Sequence, residues 1–280
     1  MLLEFRDLTL LFDGTAALTR LTATLRGGVI ALLGANGSGK TSVLRILAGI
    51  TAPTSGVAVI DGEEVRAGRK SWVSYLPQET GFFPFFQHPT RTLSLSMQFR
   101  GIQDPEAPLN ILAALGLEEE DRSAEGFSGG MKQKLRIASA LVHAPRLLLL
   151  DEPTTGLDTR ERFRVLRLIE RLRGRVSVVF STHDPHDAAA VADAVLILGR
   201  GHAVASGNPV DITREAEGAV FEITVPVDRL PDDEGYEIVE AHRGDQGYRL
   251  RILGTPPPGA RPVEPTLEDA YLLLTGRDLP

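Results

Sequence analysis

Three short apolar runs punctuate the chain: Val29–Leu33, Leu147–Leu150 and Val176–Phe180. Each is bounded by polar or glycine-containing sequence, the pattern of strands buried on both faces of a parallel sheet. Helical periodicity lies between them. After Lys40, the residues Val43, Leu47 and Ile50 share one face, and Gly49 and Pro53 mark its end. Met131, Leu135, Ala138 and Val142 make a second stripe that stops before Pro145. Val165, Leu168, Ile169 and Leu172 make a third, ending at Gly174. Asp184 followed by Pro185 reads as the cap and first position of a fourth helix.

Residues 79–126 break this alternation. With the helix that follows they predict a mostly helical insertion over about 79–145. From about Thr213 the pattern changes again. Segments 219–227 and 236–253 read as strands, PPPGARPVEP as a linker, and Thr266 to Thr275 as a capped helix with Gly276 after it. The organisation expected is therefore an α/β domain over 1–213 and a small α+β accessory region over 214–280, without internal repeats.

Composition narrows the function classes. A chain of 280 residues, 42% hydrophobic and 24% charged, is ordinary for a globular protein, and 6% aromatic content leaves the core to aliphatic residues. The absence of cysteine excludes disulfides and thiolate metal sites and fits a reducing compartment. A formal net charge of -7 counts against nucleic acid as a partner, because phosphate neutralisation calls for a basic surface. No apolar stretch reaches the ~18 residues of a spanning helix. Glu4, Arg6 and Asp7 interrupt what would otherwise resemble a leader.

The chemistry stands directly after the apolar runs, where open α/β sheets bind ligands. Gly34-Ala35-Asn36-Gly37-Ser38-Gly39-Lys40-Thr41 matches G-x-x-x-x-G-K-[ST] between a strand and a helix. Its glycines let backbone N–H groups surround phosphate, aided by the helix N-terminus. Lys40 would meet the β- and γ-phosphates, Thr41 would ligate Mg²⁺, and Ser42 continues the binding segment. Asp151 and Glu152 end the Leu147–Leu150 run. A carboxylate there is costly unless paired or metal-bound. Asp151 is thus a candidate to hold Mg²⁺ through water, and Glu152 a candidate general base or water-orienting group.

With Phe127-Ser128-Gly129-Gly130-Met131-Lys132-Gln133 placed shortly before Asp151, the order of motifs resembles the ATP-binding subunits of ABC transporters over about residues 2–210. Phe127 and Met131 depart from the usual L-S-G-G-Q. Ser128, Gly129 and Gly130 keep the phosphate-contacting part. The resemblance implies a P-loop NTPase core of the ABC type with a helical insertion, binding ATP and Mg²⁺. It implies that Gln78 reaches the metal and the attacking water, that His183 contacts the γ-phosphate, and that Asp158 lies in the loop joining two sites across a dimer. Asp158 or Thr159 capping the next helix is the plainer reading. Phe12 stands where the family commonly has an adenine-stacking tyrosine, with a core position as the other reading.

The resemblance further implies a second ATPase subunit, a homodimer being the simplest case, with each phosphate loop facing the other's Ser128 helix. It also implies a separate transmembrane permease that holds a cytoplasmic subunit at the inner face of the membrane. Phe82, Phe83, Phe85 and Phe86 are candidates for the permease groove or for the core of the insertion. Pro265-Thr266-Leu267-Glu268-Asp269-Ala270-Tyr271 with Leu274-Thr275-Gly276 is similar to the ending of exporter-type bacterial subunits. The alternative is a non-transport ABC ATPase of DNA repair or the ribosome, which the single cassette and the acidic charge disfavour.

Overall fold

The computed structural model describes residues 1–68, 70–78, 88–99, 101–117, 123–226, 236–244 and 247–276. The phenylalanines between 82 and 86, and with them much of the early insertion, lie outside the described residues. The chain divides into two compact units, Met1–Ser206 and Gly207–Pro280.

In the first unit, β1 (Leu2–Phe12), β2 (Thr15–Arg26), β4 (Ser55–Ile60) and β5 (Glu63–Glu64) form an antiparallel sheet of order β2-β1-β4-β5. Alternate residues Leu3 and Phe5, then Leu8 and Leu10, point inward, with a register shift between the two pairs. Asp13 and Gly14 close the β1–β2 hairpin in two residues, both at positive φ, the turn that matches strand twist.

The second sheet holds β3 (Val29–Leu33), β6 (Val73–Leu76), β7 (Leu147–Leu150), β8 (Ser177–Thr182), β9 (Ala194–Gly199) and β10 (His202–Gly207), in order β10-β9-β3-β8-β7-β6. β3 and β7 are buried at every residue, as continuous apolar runs require. The pairs β3–β8, β3–β9, β7–β8 and β6–β7 are all parallel. Leu33 lies opposite Thr182, and Leu76 opposite Leu150. The carboxyl ends of β3, β6, β7 and β8 therefore reach one edge together.

α1 (Lys40–Leu47) joins both sheets in one core: its Val43, Leu44, Ile46 and Leu47 cluster with Phe5, Leu21, Leu32 and Leu196. Ile50 is not on that buried face. The helix ends at Leu47, Gly49 takes a positive φ, and Ile50 is left exposed. The described part of the insertion supplies α2 (Pro89–Gln98), α3 (Ala107–Leu115) and α4 (Gly129–Leu141). α5 (Thr159–Leu172) and α6 (Pro185–Val191) follow β7 and β8, and Asp184 caps α6 through the His186 N–H.

The second unit contains α7 (Pro209–Arg214), β11 (Val220–Val225), β12 (Tyr236–Gly244), β13 (Gly247–Gly254), β14 (Arg261–Pro262) and α8 (Leu267–Gly276). Its antiparallel sheet has the order β12-β13-β11-β14. The stretch read as a linker contributes β14, which pairs Pro262 with Phe221. α7, capped by Asn208, packs against α8, so the division falls after Ser206 rather than after residue 213. Thr266 and Asp269 form a reciprocal capping box: each side chain accepts from the other's backbone N–H. Among the described residues no helix is long and apolar enough to cross a membrane.

Candidate nucleotide site

The loop from Gly34 to Gly39 turns sharply because two of its glycines have no room for a side chain. A β-carbon on Gly34 would overlap the Leu198 carbonyl. One on Gly39, at φ +104°, would come within 2.8 Å of the Ala17 carbonyl. Gly39 is also the N-cap of α1 and offers no side-chain acceptor. The first N–H groups of that helix, with their partial positive charge, therefore face the loop. Ser38 Oγ is buried and has no hydrogen-bond partner, a polar atom that an anionic ligand would satisfy.

A cavity of about 410 Å³ opens beside this loop, lined by Phe12, Ala17, Asn36, Gly37, Gly39, Lys40, Thr41, Ser42, Gln78 and Glu152. Phe12, beside the hairpin turn, is 45% exposed, which places it on the cavity's lip and outside the core. Lys40 is buried, and its ammonium donates to the carbonyls of Gly34 at 2.7 Å and Ala35 at 3.0 Å. It also lies 3.3 Å from Glu152 Oε1. That contact lacks hydrogen-bond geometry, and Oε1 is otherwise unpartnered.

Asp151 accepts from the Ser181 hydroxyl at 2.6 Å and from the Tyr75 hydroxyl at 3.1 Å. Burial and the Asp151 carboxylate push the Tyr75 phenol well above its ordinary pKa, so it remains a donor. Glu152 Oε2 accepts from Thr155 Oγ1 and from His183 Nδ1, each at 2.7 Å. An ionised carboxylate only accepts, so Nδ1 carries the proton in this pair. Burial works to raise the pKa of Glu152. The hydrogen bonds from Thr155 and His183, together with the Lys40 charge, outweigh it, and the net direction is down. Glu152 has φ +49°, a left-handed conformation that costs a residue with a β-carbon roughly 1–3 kcal/mol.

Lys40, Thr41, Gln78 and Glu152 thus share one cavity, with Asp151 and His183 in contact with its wall. Ser128, Gly129, Gly130 and Asp158 do not line it. Ser128 Oγ caps α4 by accepting from the Met131 N–H at 3.2 Å, and Asp158 Oδ1 caps α5 through the Glu161 N–H at 2.9 Å. Gly130 lies against Glu161, whose carboxylate would have to move to admit a methyl group. Among the described residues no group of three or more acidic or histidine side chains could hold a metal by itself. A divalent ion here would need hydroxyl and phosphate oxygens, the usual environment of nucleotide-bound Mg²⁺.

Several contacts had no sequence signal. Arg136 of α4 donates to the carbonyls of Pro77 and Gln78 at 2.8 and 3.1 Å. It thereby holds the backbone of the Gln78 loop. Arg162 of α5 pairs with both Asp184 and Asp187 and steadies the turn that carries His183. Ser181, two residues before His183, was the nearest to legible, since it belongs to the same strand end.

Residues 18–155 match the family described as ABC transporter. The chain is 37% identical over 200 residues to an uncharacterized ABC transporter ATP-binding protein, YxlF, of Bacillus subtilis, covering 70% of this chain and 67% of that protein. It is 33% identical over 232 residues to the energy-coupling factor transporter ATP-binding protein EcfA of Methanothermobacter thermautotrophicus, covering 77% and 74%. It is 29% identical over 282 residues to the Fe(3+) ions import ATP-binding protein FbpC of Escherichia coli O157:H7, covering 95% and 80%. The structure of cbiO1 from Clostridium perfringens, part of the cbiONQ ABC transporter complex, superposes with a TM-score of 0.67 at 28% identity, over 76% of this chain and 90% of that one. The ADP conformation of the MJ1267 cassette gives 0.67 at 18%, over 74% and 91%, a likeness of fold. Sequence, fold and the placement of the phosphate loop beside Glu152 agree: the chain belongs to the ABC transporter family and is an ATP-binding, ATP-hydrolysing subunit of that kind.

Proposed function

We propose that this subunit binds Mg-ATP in the cavity at the carboxyl ends of β3, β6, β7 and β8, with Glu152 as general base. We further propose that it works as one of two paired copies driving a separate permease. The observation that carries this reading is the meeting of Lys40, Gln78 and Glu152 in one cavity beside the phosphate loop. Loop N–H groups and the start of α1 would take the phosphates, and Phe12 the adenine face. Thr41 and Gln78 would hold Mg²⁺ directly and Asp151 through water. The ion would neutralise charge on the phosphates.

On binding, Lys40 would turn from Glu152 toward phosphate. Removing that positive charge takes away one of the interactions that lower the Glu152 pKa, so the carboxylate becomes a better proton acceptor when substrate is in place. His183 would contact the γ-phosphate while its Nδ1–H keeps Glu152 aligned. Ser128, Gly129 and Gly130 would meet the nucleotide of the opposite copy, and Asp158 would lie between the two sites. A two-fold pairing of this kind is self-complementary.

For direction, the ending Pro265–Gly276 favours export. Import is the second reading, favoured by the FbpC match, which extends over 95% of the chain and therefore into the second unit. Cargo flux in vesicles carrying the cognate permease decides between them. The central assignment is tested with Glu152→Gln. Hydrolysis should fall roughly 10²- to 10⁴-fold while ATP affinity persists, and light scattering should show an ATP-dependent doubling of mass that Ser128→Arg abolishes. Normal hydrolysis in Glu152→Gln removes the base assignment, and a monomer that retains ATP removes the pairing.

A further inference from the structure

Among the side-chain-bearing residues proposed to act on ATP, Glu152 alone has a positive φ. Something must hold its backbone in that conformation, because rotation of the peptide between Asp151 and Glu152 would relieve it. The Glu152 N–H donates to Ser181 Oγ at 2.8 Å, and the same oxygen donates its proton to Asp151 Oδ1 at 2.6 Å. Ser181 is fully buried on β8, beside Leu32 of β3.

The direction of these bonds is forced. A peptide N–H only donates and an ionised carboxylate only accepts, so the hydroxyl must accept from Glu152 and donate to Asp151. One hydroxyl therefore grips the Asp151–Glu152 peptide from two sides, through its N–H and through the side chain that precedes it. Flipping the peptide would leave a buried N–H without a partner, which is costly in the interior.

We propose that Ser181 is the positioning residue for hydrolysis: it locks the left-handed backbone of Glu152 and thereby sets where the Glu152 carboxylate stands. This rests on Glu152 being the base. Neither Lys40 nor the loop N–H groups depend on Ser181, so its loss strikes the chemical step and spares ATP binding. Tyr75 keeps its own bond to Asp151, so Asp151 is not released altogether.

The test compares Ser181→Thr with Ser181→Val, which differ only in a hydroxyl against a methyl and add the same volume to the buried site. Ser181→Thr should hydrolyse ATP much as wild type does. Ser181→Val should lose roughly 10²-fold in kcat, the scale of a small misplacement of a catalytic group, with KM and fluorescent-ATP affinity unchanged. A second measurement needs no nucleotide: hydrogen exchange at the Glu152 amide should be slow in wild type and Ser181→Thr and fast in Ser181→Val. If Ser181→Val does not fold, Ser181→Ala, which adds no volume, is compared with wild type in both assays. Equal kcat in the Thr and Val variants, or a Glu152 amide still protected in the latter, overturns the proposal. Failure of the base assignment shows separately, as hydrolysis that persists in Glu152→Gln, while the exchange measurement still reports on the lock.

Discussion

Each unit of this protein contains a buried acid–base pair, and the two are built to opposite specifications. In the second unit Asp269 is fully buried and hydrogen-bonded on both oxygens: Arg251 donates to each of them, and the Thr266 backbone and hydroxyl donate to Oδ2 as well. In the first unit Glu152 faces Lys40 without hydrogen-bond geometry, keeps Oε1 otherwise bare and sits on strained backbone. A buried pair with both carboxylate oxygens hydrogen-bonded resists change and serves the fold. A pair left partly unsatisfied holds its groups ready for another partner, and on the proposed function that partner is ATP. Between these two pairs, incomplete satisfaction distinguishes the groups proposed to act on ATP from those that hold the fold.

The sharpest way to break the comparison is to remove one partner from each pair. Lys40→Ala should reduce ATP turnover by at least ~10²-fold, the effect of losing one donor to transition-state charge, with little change in melting temperature. Wild-type turnover there would sink the assignment of the phosphate loop. Asp269→Ala should do the reverse. It strands Arg251 beside an apolar gap and costs about 3 kcal/mol of stability, read by denaturant unfolding, while hydrolysis stays near the wild-type rate. An unchanged unfolding midpoint would show that these hydrogen bonds do not confer stability here.

The same substitution has a pH signature. Burial acts to raise the Asp269 pKa, but the hydrogen bonds from Arg251 and Thr266 prevail and lower it. A group lowered on folding stabilises fully above its unfolded pKa, about 3.9, and loses that contribution as pH falls through the folded value. Below about pH 4 wild type should therefore lose stability more steeply than Asp269→Ala. The smallest effect belongs to Thr155→Val. It removes one hydrogen bond that lowers the Glu152 pKa, so the acidic limb of the kcat/KM profile should move to higher pH. Movement to lower pH would show that Thr155 does not tune the base.

How much of this was legible in sequence depended on whether the contacts run along the chain or across it. The phosphate loop and the strands before Gly34, Asp151 and His183 are contiguous patterns, and they stand where the apolar runs placed them. The hairpin of β1 and β2 went unread although Leu3 and Phe5, Leu8 and Leu10 alternate, because the register shift between those pairs breaks the period of two. Arg136 holding the Gln78 loop and Ser181 bridging Asp151 and Glu152 join residues far apart in sequence, and nothing local announces them. The ending Pro265–Gly276 was legible for another reason. Thr266 and Asp269 are a helix cap, and Asp269 is also the acceptor for Arg251, so part of what resembles exporter endings is the requirement for starting α8.

The left-handed backbone of Glu152 has a consequence for how such a chain can drift. Glycine adopts φ +49° without the β-carbon penalty, and asparagine tolerates it better than glutamate does. At this position, then, the residue that the backbone conformation favours is not the one proposed to serve hydrolysis. Either replacement would relieve the backbone but leave the buried Lys40 without its carboxylate and Thr155 and His183 without their acceptor, so the gain and the loss oppose each other. A descendant of this protein relieved of hydrolysis could relax the backbone at position 152 only by giving up the carboxylate that faces Lys40, so a change at one of these two positions favours a change at the other.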